Sequence, residues 1–317
     1  MKNHLSVVIP CFKPDFLRQA LNSLRRQTDT HFELILADDA SPHDLASIVE
    51  PFSNDLNLRY VRFEKNLGAQ DLCAHWNRAL RLATHEWVWF MGDDDELEPA
   101  CIATVRQAMS EAPDWRGLWR VNVKKINADD LVIKECPPWP VHLSSFDYLK
   151  ARLSDEVESF ACEYIFNKSQ LEAAGGFVSF PLAWCSDDAT WLSLAGHAGI
   201  KTVAGQDACA RWRTSTLNIS GAGSKLSKIK HESRLRYLEW LQQQHQALFP
   251  AHCHSAWRES NKQRLQWANH ALHSNKVRLG AVELLNSVWR LHRCLDLPLL
   301  HVAYQMIRVQ RWVASYR

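Results

Sequence analysis

The sequence predicts an α/β protein, a doubly wound and mostly parallel Rossmann-like sheet with a C-terminal helical appendage. Three observations predict it. Over the first 110 residues short apolar runs alternate with helical periodicity at a steady pitch. Two acidic clusters, Asp38-Asp39 and Asp93-Asp94-Asp95, stand at the ends of such runs, where open parallel sheets bind ligands. Beyond Gly221-Ala222-Gly223, which reads as a linker, the chain is helical and basic to its end.

The elements follow in order. Ser6 to Ile9 is a buried-strand pattern ended by Pro10, and Pro14 sits where a first helical turn tolerates it, ahead of Leu17, Ala20, Leu21 and Leu24 at helical spacing. Phe32 to Ala37 is a second strand, with a helix around Asp44 to Phe52. Leu58 to Phe63 is a third, and Gly68 opens a helix whose apolar face is Leu72, Trp76, Ala79, Leu80 and Ala83. Glu86 to Met91 is a fourth strand, and Pro99 starts the next helix. Trp115 to Ile126 reads as a strand or strand pair, and Ala183 to Ala195 as a loop entering a helix with Ser186-Asp187-Asp188 near its start. Pro250 and Pro298 divide the tail into at least three helices.

Composition narrows the class. Of 317 residues, 46% are hydrophobic and 23% charged, which suits a globular chain rather than a disordered one. The net charge of +2 conceals an asymmetry: residues 224–317 hold fifteen Lys/Arg against five Asp/Glu, and the rest twenty-two against thirty. A basic tail points to an anionic surface or to a solvated helical face. Nine cysteines without a CxxC pair suit a reducing, cytoplasmic setting. The run Leu5 to Pro10 is too short for a signal-peptide core, and no stretch of about eighteen apolar residues predicts a membrane span.

Three consecutive carboxylates at the end of a buried strand are costly without a positive partner. Mg²⁺ or Mn²⁺, with a diphosphate supplying further oxygens, is the natural one; the bland alternative is a solvated turn with Asp95 capping a helix. Asp38-Asp39 reads either as a helix cap or as a hydrogen-bond acceptor for a nucleobase edge. No GxGxxG follows the first strand and no P-loop occurs. His252 and His254 have no ligand-rich partner motif, so no histidine metal site is expected.

Four segments in order, VVIPCFKP (7–14), LADDAS (36–41), EKNLGAQDLCAHWNRAL (64–80) and FMGDDDELEP (90–99), resemble the nucleotide-binding half of family-2 glycosyltransferases of GT-A fold. The resemblance thins after residue 110 and resumes at CSDDATW (185–191) and RWRTSTLNIS (211–220). It implies a catalytic region over 1–223, divided into a nucleotide-binding half (1–110) and an acceptor half (111–223), followed by a basic helical region (224–317). It implies that Pro10, Cys11 and Phe12 line a nucleoside pocket, with Asp39 or Asp38 on the base and Asn66 and Gly68 near the ribose and diphosphate. Asp93, Asp94 and Asp95 would form the DxD-type cluster, with Asp95 the first choice of metal ligand and Asp93 the second. Asp188 would be the catalytic base, Asp187 replaces the family's usual Glu, and the register between the two stays open. Arg213, with Arg211 as alternate, would offset charge on the leaving diphosphate.

The implied activity is inverting transfer from a nucleotide sugar, UDP by family habit, to a glycan or lipid-linked acceptor of bacterial surface polysaccharide. Trp184 and Trp191 are candidate sugar platforms or core residues. A receiver-type phosphoacceptor module is disfavoured because the Asp pair follows the second strand. A non-catalytic nucleotide-sugar-binding scaffold and a nucleotidyltransferase remain the alternatives. In the tail Leu299, Val302, Ala303, Met306 and Val313 share a helical face near Arg308, Arg311, Trp312 and Arg317. That pattern fits a peripheral helix on the cytoplasmic face of a membrane, or packing on the catalytic region or a second subunit of a homo-oligomer. Nucleic acid is not an expected partner.

Overall fold

The computed structural model describes residues 4–205, 207–221 and 226–315. Met1 to Asn3, Ala222 and Gly223 of the expected linker, and Arg317 of the expected tail face lie outside them.

The alternating half folds as the periodicity predicts: β1 (Leu5–Cys11), α1 (Leu17–Arg25), β2 (Glu33–Asp38), α2 (Leu45–Val49), β3 (Leu58–Arg62), α3 (Leu72–Leu80), β4 (Trp87–Phe90), β5 (Glu96–Leu97) and α4 (Cys101–Glu111). β1, β2 and β4 are almost wholly buried, as strands covered on both faces by helices must be. Successive side chains serve opposite layers. Val7, Ile9, Leu34 and Leu36 pack with α1 and α4 residues on one side, while Val8, Ile35 and Ala37 join the core on the other.

The middle section adds β6 (Leu118–Arg120), β7 (Asn122–Ile126), β8 (Val132–Glu135), β9 (His142–Leu143), α5 (Ser145–Leu153), β10 (Tyr164–Asn167), α6 (Lys168–Ala173), α7 (Ser186–Ala195), β11 (Ile200–Thr202) and β12 (Cys209–Arg213). The main sheet has the order β3-β2-β1-β4-β10-β6-β11-β9. β1 pairs in parallel with both β2 and β4, β2 with β3, and β6 with β11, while β10 runs antiparallel to its two neighbours. β1 therefore lies between the two strands that end in acid clusters, which puts both clusters on one rim. A second sheet, β5-β12-β7-β8, presses β12 against the turn that follows β4.

The tail forms α8 (Ser227–Leu248), α9 (His254–Glu259), α10 (Asn261–Ser274), α11 (Ala281–Leu295) and α12 (Leu299–Ser315). It is not an independent layer. Leu238, Leu272, Val302 and Met306 share one hydrophobic cluster with Val8, Phe90 and Trp191. Of the two readings of the last helix's apolar face, interfacial or packed, Val302, Met306 and Val313 follow the packed one: they point inward and are buried. Leu299 of that face and the nearby Trp312 are exposed, together with Val282, Leu285 and Trp289 on α11 and Leu300, Tyr304 and Ile307 on α12. No helix among the described residues is long and apolar enough to cross a membrane.

Candidate active site

Both acid clusters hold loops before they hold anything else. Asp93 Oδ2 accepts the backbone N–H groups of Phe12 and Lys13, both at 2.9 Å. They tie the loop after β1 to the acidic turn, and α1 starts at Leu17 and not at Pro14. Asp39 accepts from the N–H groups of Leu67 (2.9 Å) and Gly68 (2.8 Å), and α3 starts at Leu72, capped by Asp71, rather than at Gly68. Gly68 is required there, because a Cβ would lie 2.6 Å from Asp39 Oδ2.

The rest of the acid set is arranged as follows. Asp95 Oδ2 accepts from the Gly92 N–H (3.3 Å) and Oδ1 from the Arg213 N–H (3.2 Å). A strand rather than a helix follows Asp95, so it is not a helix cap. Burial, followed by the charge of Asp94, pushes its carboxyl up to about 7. Burial also raises the Asp93 carboxyl, against the opposing pull of Lys13. The Lys13 ammonium lies 3.7 Å from Asp93, 3.2 Å from Asp94 and 3.0 Å from Asn218 Oδ1. Buried carboxylates this proton-hungry form a donor set of hard oxygens for a divalent cation. No group of three or more acidic, His or Cys side chains arranged to hold a metal ion occurs among the described residues. Other oxygens must therefore complete any coordination shell.

One crevice of about 830 Å³ collects Pro10, Cys11, Phe12, Lys13, Asp39, Asn66, Gly68, Asp93, Asp95, Asp187 and Asp188. That is room for a nucleotide sugar. Across β1, Asp39 and Asp93 stand two strand spacings apart, about 10 Å. Three expected residues do not line the crevice. Asp38 is fully buried, accepting from the Ser41 N–H (2.7 Å), Tyr60 Oη (2.5 Å) and Arg62 (2.7 Å). Asp94 is turned to Lys13. Arg213 is fully buried beneath the acidic turn: its guanidinium bonds the carbonyls of Asp94 (2.9 Å) and Asn127 (2.7 Å), pairs with Glu96 and lies over the Phe16 ring. Period-2 alternation along β12 turns it under the site, and Lys13 is the cation beside the acidic turn that lines the crevice. Removing Arg213 would leave Glu96 with only Arg211, at 3.4 Å. Arg213→Ala is therefore expected to lower stability by about 3 kcal/mol, read as the urea midpoint at unchanged slope.

The third acid pair opens α7. The turn before it is strained: Leu182, Ala183 and Cys185 all have positive φ (60°, 53° and 67°) without being glycine. Asp188 is gripped by Arg152, Nε to Oδ1 and Nη2 to Oδ2 at 2.9 Å each, and accepts from Tyr148 Oη at 3.0 Å. Asp187 is half-buried and receives one bond, from the Asp188 N–H at 2.9 Å to Oδ1. Burial and the Asp188 charge push the Asp187 carboxyl up to about 7.

Several crevice residues carried no sequence signal. Arg152 and Trp267 line it from elements that no motif marks, while His75 and Trp212 lie within the quoted segments without standing out as site residues. The Arg78 guanidinium pairs with Asp39 and stacks 3.8 Å from the Phe63 ring centre. Trp184 lines the crevice, but Trp191 is fully buried against Tyr164, Phe166 and Phe177 and is core.

The family described as Glycosyl transferase family 2 matches residues 6–129. Among curated proteins, the poly(ribitol-phosphate) beta-N-acetylglucosaminyltransferase TarS of Staphylococcus aureus is 36% identical over 95 residues, 29% of this chain and 16% of that protein. The GalNAc(5)-diNAcBac-PP-undecaprenol beta-1,3-glucosyltransferase of Campylobacter jejuni is 32% identical over 108 residues, 34% of this chain and 35% of that protein. The matched part thus spans between a sixth and about a third of these relatives. In three dimensions the crystal structure of S. aureus TarS 1–349 in complex with UDP-GlcNAc superposes on the whole chain and on 93% of its own length, with a TM-score of 0.70 at 17% identity. Residues 6–129 match the glycosyl transferase family 2 model, and the chain as a whole shares the GT-A fold of TarS.

Proposed function

We propose that this chain moves a sugar, with inversion, from a nucleoside diphosphate sugar to a glycan or lipid-linked acceptor of cell-surface polysaccharide, with Mn²⁺ or Mg²⁺ at Asp95 and Asp93. The observation that carries the reading is that Asp39, Lys13, Asp93, Asp95 and Asp187 all line one crevice. UDP is the favoured nucleotide: its base would meet Asp39 and the loop through Asn66 and Gly68, and its phosphates Lys13. A divalent ion there would offset charge on the departing nucleoside diphosphate. Asp187, or Asp188 in the register the family pattern favours, takes the acceptor hydroxyl proton. The oxygen then attacks the anomeric carbon as its bond to the diphosphate breaks, which inverts that centre. Residues 1–223 are the catalytic region in this reading, and residues 224–317 the appendage.

Incubation with UDP-, GDP- and dTDP-sugars and Mn²⁺, with nucleoside diphosphate release as the readout, tests it. UDP release is expected, and release from none of them would overturn the reading.

The exposed apolar residues of α11 and α12, beside exposed Arg293, Arg308 and Arg311, complement an anionic membrane on the cytoplasmic face. Vesicles with 30% anionic lipid are expected to float the chain, and Trp289→Ser with Leu300→Ser to abolish flotation. Equal flotation of that variant would remove the role.

A further inference from the structure

On the α7 side of the crevice, α8 carries two buried cations one helical turn apart, Arg234 lining the crevice and Lys230 beside it. Lys230 is 1% and Arg234 8% exposed. Their charged ends lie 4.3 Å and 5.2 Å from the centre of the Trp184 ring, just before the Asp187–Asp188 pair. Lys230 gives one hydrogen bond, to the Ser220 carbonyl at 3.2 Å. Arg234 lines the crevice, and its Nη1 is buried with no partner among the described residues. The acid whose field reaches it, Asp188, is held by Arg152 in a two-pronged pair.

Other buried arginines keep at least one side-chain or carbonyl partner, although Arg264 Nε, like Arg234 Nη1, has none among the described residues. Arg120 pairs with Glu163 and Arg213 with Glu96. Arg264, also stacked on a tryptophan, reaches Gln242 Oε1 and the Trp257 carbonyl. Two like charges taken out of water side by side oppose each other as well as their own burial. Burial and the neighbouring Arg234 charge together lower the Lys230 ammonium, and burial lowers the Arg234 guanidinium. An anion in the crevice relieves both costs, and a guanidinium fork suits phosphate oxygens.

We propose that Arg234, backed by Lys230, seats a phosphate group of the acceptor, so that the acceptor class is a phosphorylated or phosphodiester-linked glycan or polyol. The inference rests on the transferase reading of the same crevice. The shared chemistry is phosphate, which the donor diphosphate also offers, and the test separates the two sources. Protein saturated with UDP and Mn²⁺ is titrated with glycerol 3-phosphate, and with glycerol as the neutral control, by calorimetry.

Glycerol 3-phosphate is expected to bind and glycerol not. Arg234→Gln is expected to weaken glycerol 3-phosphate at least tenfold while UDP affinity changes less than twofold, and Arg234→Lys to restore part of the loss. Removing an unpaired buried cation leaves no orphaned acid, so the melting temperature of Arg234→Gln should hold or rise. Tenfold weaker UDP binding would give the seat to the donor diphosphate and overturn the proposal. So would equal glycerol 3-phosphate binding by wild type and variant, or none by wild type. Failure of UDP to bind the wild type would instead count against the transferase reading.

Discussion

Asp187→Asn is expected to reduce kcat by about 10³-fold, in line with the loss of a general base, while the affinity for UDP stays within about twofold. Asp188 cannot easily do this work in the arrangement seen, because Arg152 and Tyr148 occupy both of its oxygens. Asp187 has one oxygen without a bond among the described residues and a carboxyl pushed up to about 7. A base must be deprotonated, so kcat/KM in the wild type should rise with pH through about 7 and level off above it. Asp188→Asn removes the charge that raises Asp187, which should carry this rising limb to lower pH and leave measurable activity. Full activity in Asp187→Asn with loss in Asp188→Asn would return the base to Asp188.

The same substitution also carries a stability signature. The folded Asp187 carboxyl sits above its unfolded value of 3.8. The unfolded state therefore binds fewer protons between about pH 4 and 7, and the group withdraws stability as pH rises through that window. Asp187→Asn should melt at the same temperature as the wild type or higher near pH 8. A melting scan beside the rate assay thus tells a lost base from a damaged fold.

Asp95→Ala is expected to have the second large effect, a fall of about 10²–10³-fold in metal-dependent sugar transfer, the scale of several kcal/mol of charge stabilisation on the leaving group. It also removes acceptors for the Arg213 and Gly92 N–H groups. Asp95→Asn, which keeps an acceptor there, is therefore the cleaner variant. Retained Mn²⁺-dependent transfer in Asp95→Asn would move the ligand to Asp93 or outside the cluster.

Much of the site was legible because its acids stand at ends of elements that the sequence pattern marks by itself. A very apolar run that stops at three aspartates can only place them on the rim of the sheet, and the same holds for Asp39 after β2. Local pattern says less about which way a side chain turns once there. Asp38 and Asp39 are adjacent, yet one faces inward to Arg62 and the other lines the crevice. Arg213 lies on a five-residue strand whose register against β5 sends it under the turn, and no periodicity so short reveals that parity. The Arg152–Asp188–Tyr148 grip joins residues 36 and 40 positions apart, on α5 and α7, through tertiary packing alone. The tail stayed open between readings for a related reason: an amphipathic helix shows that one face is apolar, not what covers it. Here the neighbouring tail helices α10 and α11 cover it.

The most direct measurement follows Mn²⁺ by electron paramagnetic resonance while UDP is titrated into the protein. The metal-diphosphate assignment predicts that the free Mn²⁺ signal falls in proportion to added UDP, and that this loss disappears in Asp95→Asn. UDP binding equally well without Mn²⁺, or the same loss of signal in the variant, would contradict it.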